Sequence, residues 1–215
     1  MEQKNLLNRN EFADKRNSFR KPGILHGSVI FSIVMVLLLF VASRAQRHEE
    51  YSGLLITEYL LILPPPLIML YLFRFDVKKV LRLNKIDFLN VVLIFFITVF
   101  SIPLVSMLNL VNLVVLEKIF GRVVVSQPSP AVNWYTLLLS IFIVGITPAI
   151  CEEILFRGTI QRSFERYGAV KSILITAFLF GLFHMDFQKL LGTFLLGALI
   201  GFIVYRTDSH YGGMV

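Results

Sequence analysis

The chain has 215 residues, 56% of them hydrophobic and only 16% charged. A water-soluble domain is usually about 45–50% apolar, so the composition excludes an ordinary soluble enzyme, and the formal charge of +7 is no argument for a nucleic-acid partner. The one cysteine, Cys151, excludes an intramolecular disulfide and a cysteine-based zinc cluster, and reads as a small buried apolar residue. Long apolar runs separated by short charged connections are the pattern of an all-α, multi-span integral membrane bundle, here with about six transmembrane helices.

Residues 1–22 are polar and basic, with Lys4, Arg9, Lys15, Arg16, Arg20 and Lys21, and read as a cytosolic N-terminal tail. The apolar run behind them is too long for a cleaved signal peptide. Residues 23–133 hold the N-terminal transmembrane helices. A first span is predicted over 24–42, followed by a short mixed loop with Arg44, Arg47, His48, Glu49 and Glu50. The second span, 53–73, carries Glu58 near its start and then Pro64-Pro65-Pro66. Consecutive prolines withhold backbone donors, so this span must kink or unwind. Glu58 reads as an interfacial carboxylate solvated by water. The next loop is strongly basic, with Arg74, Lys78, Lys79, Arg82 and Lys85. The third span, 88–116, carries Pro103 and also Asn109 and Asn112, whose spacing suits hydrogen bonds between helices. The loop 117–133 contains Gly121 and Pro128-Ser129-Pro130. Basic residues concentrate in the tail and the second loop, which the positive-inside rule puts in the cytosol.

Residues 134–215 are set apart by their charges. Trp134 and Tyr135 open a fourth span at an interface, and it continues past Cys151-Glu152-Glu153-Ile154-Leu155-Phe156-Arg157 to a stop at Gly168. Arg162, Arg166 and Lys171 place that turn on the cytosolic side. A fifth span covers 172–184 and a sixth 187–205, where Thr193, Gly197 and Gly201 form a small-residue stripe for close helix packing.

Charge at membrane depth is unfavourable by at least about 2.5–3.5 kcal/mol per residue, so such groups pair, face a wet cavity or do chemistry. Glu153 and Arg157 share a helical face and can pair. Glu152 points about 100° away and stays free to act. Glu152 and His184 lie at similar distances either side of the Gly168 turn. Straight helices would bring both to roughly 24 Å from it, at matching height. A carboxylate in a dry site can take a proton from water, and a histidine can hold an oxyanion or a metal. Glu and His are also ligand types for a zinc site with an open position. The shared chemistry is hydrolysis of a peptide bond inside or beside the membrane. The HExxH zinc signature is absent.

At these residues the chain resembles a known family. Glu152-Glu153-x-x-x-Arg157, followed by Gly158, is similar to the EExxxR motif of the CAAX prenyl protease type II family, also called the CPBP or Abi intramembrane proteases. Phe180-Gly181-Leu182-Phe183-His184 is similar to its FxxxH motif. The resemblance covers roughly residues 135–215. It implies a helical membrane endopeptidase, classed with metalloproteases, that acts on membrane-associated proteins in CAAX processing or bacteriocin maturation. It also implies Glu152 as the base for the attacking water, with His184 beside it and Glu153 and Arg157 completing the site. These residues leave open whether a divalent metal such as zinc or a metal-free Glu–His pair does the chemistry. The expected partners are the lipid bilayer and a membrane-associated peptide, and the expected location is a bacterial cell membrane. The family's further motif, HxxxN or HxxxD, is not met at His210, which is followed four residues on by Met214. His210 therefore reads as an interfacial loop residue, and the motif is expected beyond Val215, in a C-terminally incomplete core. Two rival readings stand beside the protease. One is a catalytically inactive scaffold or bacteriocin-immunity protein. The other is a small proton-coupled transporter, for which the internal repeat such proteins often show is not visible.

Overall fold

The structure, a computed structural model, describes residues 20–45, 50–123 and 132–215. Most of the basic tail and the Pro128-Ser129-Pro130 loop lie outside the described residues. Among the described residues, five helices are long and apolar enough to cross a membrane: α1 (Ile24–Ala42), α2 (Tyr51–Leu72), α3 (Phe88–Phe120), α4 (Trp134–Tyr167) and α6 (Leu190–Thr207). Between the last two lies α5 (Ala169–Phe183), apolar but only 15 residues long. That is about 22 Å, less than the ~30 Å hydrocarbon core. A single turn, α7 (Tyr211–Met214), follows α6. No strand occurs among the described residues, and the protein is an all-α membrane helical bundle.

Sequence periodicity accounts for the packing of α1. Ile30, Val34, Leu38 and Ala42 recur every four residues and are all buried, while Leu25, Val29 and Phe40 point outward. Gly27 continues the inner stripe. A Cβ there would lie 2.7 Å from the Cβ of Ser163, so the start of α1 presses directly on the end of α4.

α2 breaks where the prolines require it. Thr57–Ile62 widens into a π turn, in which the Leu63 N–H donates to the Glu58 carbonyl at 3.0 Å, and the helix restarts at Pro64. Pro64, Pro65 and Pro66 have no N–H to offer the carbonyls of Leu60, Leu61 and Ile62. Such a break at membrane depth is tolerated only where protein surrounds it. α2 accordingly packs along α4. The Tyr51 and Ser140 hydroxyls meet at 2.9 Å. Further along, Thr57–Ile62 lies on Thr147–Glu153, and Pro64–Leu72 lies on Ile154–Ile160. Both helices advance together, so they run parallel.

α6 is also parallel to α4. Arg157 Nη2 donates to the Gly197 carbonyl at 3.1 Å, and Gln161 Nε2 donates to the Gly201 carbonyl at 3.0 Å. The stripe predicted for close packing works through these glycines: a Cβ on Gly197 would press on Phe180 and one on Gly201 on Gln161, each at 3.0 Å. α3 is the outermost helix and is held by its asparagines. Asn109 and Asn112 donate to the Gln188 and Phe187 carbonyls at 2.9 Å, and Asn109 accepts from the Gly192 N–H at 3.0 Å. Gly168, at φ +92, makes the sharp reversal from α4 to α5.

A second charged region closes the Gly168 end. Glu165 accepts from Arg82, pairs with Arg162 at 3.0 Å and lies 3.6 Å from Lys21. Arg82 also pairs with Asp208 at 2.8 Å. Arg162 reaches the Val80 carbonyl at 3.0 Å. Asn84 and Ser209 tie the same two segments together: the Ser209 hydroxyl donates to the Asn84 carbonyl at 2.7 Å, and Asn84 donates to the Asp208 carbonyl at 2.7 Å. Arg82 and Arg162 are 1% and 3% exposed. Read from sequence alone, they are basic loop residues that mark the cytosolic side. They are instead internal fastenings between four separate segments.

Candidate active site

The acidic motif lies where α4 changes from α-helical to π-helical winding. Glu153 is the last residue before the wide turn Ile154–Ile160, and Arg157 lies inside it. The pair forms, with Glu153 Oε1 at 3.4 Å from Arg157 Nε. Both side chains are buried, so breaking the pair would strand a charge. Arg157 is held on three sides: by Glu153, by the Gly197 carbonyl, and by the Phe180 ring 4.7 Å from its guanidinium carbon. The second oxygen of Glu153 has no hydrogen-bond partner among the described residues. It faces Gly213 of α7, where a Cβ would come within 2.3 Å of it.

Glu152 lies on the neighbouring face and is half-buried. Its carboxylate makes no hydrogen bond or ion pair among the described residues. Cys151 is fully buried and apolar in role. His184 caps the end of α5. Its Nδ1 lies 2.9 Å from the Phe180 carbonyl, and its ring packs edge-on to Phe180 and Phe183 at 4.9 and 5.9 Å. Phe156 touches the same two phenyl rings at 5.0 Å. Phe180 is therefore a shared contact, touched by both Arg157 and His184. It links the two motifs, which do not bond directly. Equal spacing from Gly168 predicts equal heights only for two straight α-helices. α4 runs through a wide turn between Glu152 and Gly168, whereas α5 is α-helical throughout. No hydrogen bond joins Glu152 to His184 among the described residues.

Two residues lie deeper than their sequence context suggests. Glu58 is 4% exposed, and its Oε2 has no hydrogen-bond partner among the described residues. The π turn that carries it packs against the helix segment bearing Glu152, away from the solvated interface expected for it. The signal was present in the sequence, because a triple proline at membrane depth requires surrounding protein. His210 is 1% exposed and not an interfacial loop residue. Its backbone N–H donates to the Arg82 carbonyl at 2.9 Å, which draws it inward. Burial, followed by the nearby charges of Arg157 and Arg82, holds its imidazole pKa down at about 4. Nothing in its sequence neighbourhood signals this.

Among the described residues, no three His, Cys, Asp or Glu side chains converge where they could hold a metal ion. The described residues thus do not supply a zinc ligand set.

No curated protein and no solved structure matches the chain. Residues 133–215, the part that holds the acidic motif, Phe180, His184 and His210, match the family model described as Type II CAAX prenyl endopeptidase Rce1-like, which is the family whose motifs the sequence resembles.

Proposed function

We propose that the protein is an intramembrane endopeptidase. It hydrolyses peptide bonds of membrane-associated substrates, in the manner of CAAX or bacteriocin processing, with water activated by Glu152. The observation that carries this reading is the division of labour within the motif. Arg157 is committed to Glu153, the Gly197 carbonyl and Phe180, while Glu152 beside them is half-buried and unpaired. A carboxylate in that position can accept a proton from water as the water oxygen attacks a peptide carbonyl. The proton then passes to the amine nitrogen as the C–N bond breaks. His184, packed against Phe180, is the group nearest in role to an oxyanion donor. The family match of residues 133–215 supports protease chemistry in a membrane. The basic residues clustered near the Gly168 end, among them Arg74, Lys78, Lys85 and Arg166, support a cytosolic position for that end and for the N-terminus.

The test is cleavage of a membrane-associated peptide by protein expressed from its complete reading frame and reconstituted in lipid. Glu152→Gln keeps shape and hydrogen-bonding reach but cannot serve as base, and cleavage is expected to fall by about 10²–10⁴. Cleavage at the parent rate by Glu152→Gln overturns the assignment. Retained biological function in the absence of cleavage by parent and variant alike would support a scaffold.

A further inference from the structure

α2 ends on an arginine that has no anion. The Phe75 N–H donates to the Leu70 carbonyl at 3.0 Å, and the Arg74 N–H donates to the Tyr71 carbonyl at 3.1 Å. In this kind of helix closure the left-handed residue is usually glycine. Here it is Arg74, at φ +53. A side chain in that conformation crowds its own carbonyl, a conflict that glycine avoids. The next short turn, Val77–Val80, is followed by a second left-handed arginine, Arg82 at φ +51. The two arginines differ in what they hold. Arg82 pairs with Glu165 and Asp208. Arg74 is exposed, and its guanidinium makes no ion pair, hydrogen bond or ring contact among the described residues. Asp76, two residues on, is engaged by Lys79, with its carboxylate 3.5 Å from the ammonium and 3.2 Å from the backbone N–H.

A separate observation lies beside Arg74. A cavity of about 470 Å³ opens at this end of α2, lined by Leu67, Leu70, Tyr71, Phe75 and Arg74 among others. Its lining side chains are apolar apart from the Tyr71 hydroxyl and the Arg74 guanidinium. Leu72 is the last residue of the span, so the cavity straddles the level where hydrocarbon gives way to headgroups. Lys78 adds an exposed cation on the same loop. An apolar wall beside an unpaired cation, at that depth, complements an amphiphile with an anionic head. We propose that this cavity binds one anionic phospholipid, with its phosphate on Arg74 and the start of an acyl chain along Leu67 and Leu70. A soluble anion would leave most of the lining unused. Because the lipid binds the folded protein, it stabilises the α2 end by mass action. The proposal does not depend on the protease reading.

The test is native mass spectrometry of the purified protein in mixed micelles, titrated with phosphatidylglycerol, phosphatidylcholine or inorganic phosphate. Melting curves are recorded in the same mixtures. The parent should retain one phosphatidylglycerol in preference to phosphatidylcholine and should melt higher in its presence. Arg74→Gln should weaken that retention by about fivefold or more. Arg166→Gln removes an exposed cation outside the cavity lining and should leave retention unchanged. Leu67→Trp fills the apolar side without altering charge and should also weaken it. Arg74→Gly should melt above the parent in phosphatidylcholine, since the backbone conflict is relieved, yet lose most of the gain from phosphatidylglycerol. Melting in phosphatidylcholine shows in each case that the variant is folded. Equal losses in Arg74→Gln and Arg166→Gln would reveal diffuse attraction to charge and overturn the proposal. So would retention untouched by Leu67→Trp, or displacement of the lipid by inorganic phosphate at equal concentration.

Discussion

α4 carries two charged regions built from the same residue types, and they are wired differently. At the Gly168 end, Lys21, Arg82 and Arg162 converge on Glu165, and Arg82 also holds Asp208, so each of these five charges has an opposite charge in reach. At membrane depth, the turn that carries Glu58 packs on the segment that carries Glu152 and Glu153, and Arg157 is paired to Glu153. The first region is saturated, and its partners come from four segments of chain. The second is short of cations and leaves carboxylate oxygens without partners. Saturation suits a fastening. A deficit of countercharge suits chemistry, because a carboxylate already satisfied by arginines is a poor base.

The sharpest way to break this comparison is to neutralise one carboxylate in each region. Glu152→Gln should lower cleavage by about 10²–10⁴, equivalent to roughly 2.7–5.5 kcal/mol of barrier, with melting unchanged. Glu165→Gln should do the reverse, costing about 3–5 kcal/mol of stability because it removes the shared partner of buried cations. Equal losses of melting temperature in both variants would erase the distinction.

Arg157→Ala belongs to both categories. It strands Glu153 and frees the Gly197 carbonyl, so a stability loss of about 3–5 kcal/mol should accompany loss of activity. A variant that melts like the parent would show that the pair is not held in a dry interior. His210 lies between the two regions, close enough to feel both Arg157 and Arg82. Its folded imidazole stays neutral down to about pH 4, whereas an unfolded one is protonated near pH 6.5. The unfolded state therefore binds more protons in that window. The stability from neutral His210 is complete above about pH 6.5 and is lost as pH falls towards 4, about 3 kcal/mol in all. Melting curves of parent and His210→Gln should diverge with that sign, and parallel curves across the window would discard it. The smallest effect is expected at contacts without charge. Gly27→Ala should lose about 1–3 kcal/mol through its collision with Ser163, while Gly145→Ala, with open space around it, should lose nothing. Equal melting of the two variants would put α1 further from α4 than described.

The helices were largely legible in the sequence, because apolar runs of spanning length, the inner stripe of α1, the proline break in α2 and the Gly168 reversal are local signals. The Glu153–Arg157 pair was legible for the same reason, since both partners lie on one turn of one helix. Pairings that close over distance were not. Arg82 and Glu165 are 83 residues apart, and nothing near Arg82 separates a solvated arginine from a buried one. Glu58 and His210 were misjudged in the same direction. Glu58 is read from its place near the start of a span and His210 from the unmet HxxxN or HxxxD motif, whereas the depth of each is set by what packs over it.

The Glu165 hub also bears on how the chain is made. Lys21, Arg82 and Arg162 all leave the ribosome before the carboxylate that gathers them. At about 5–20 residues per second, the 83 residues between Arg82 and Glu165 take roughly 4–17 s to synthesise. Through that interval Arg82 is a bare cation beside newly inserted spans, able to hold them in orientation as a positive flank does. When Glu165 emerges, the same side chain becomes part of the finished interior. The charges would thus serve first as a guide to insertion and later as a lock on assembly. A nascent chain arrested before Glu165 and carrying Arg82→Cys should react with a water-soluble maleimide, and the released chain should resist it. Equal labelling before and after release would separate the two roles.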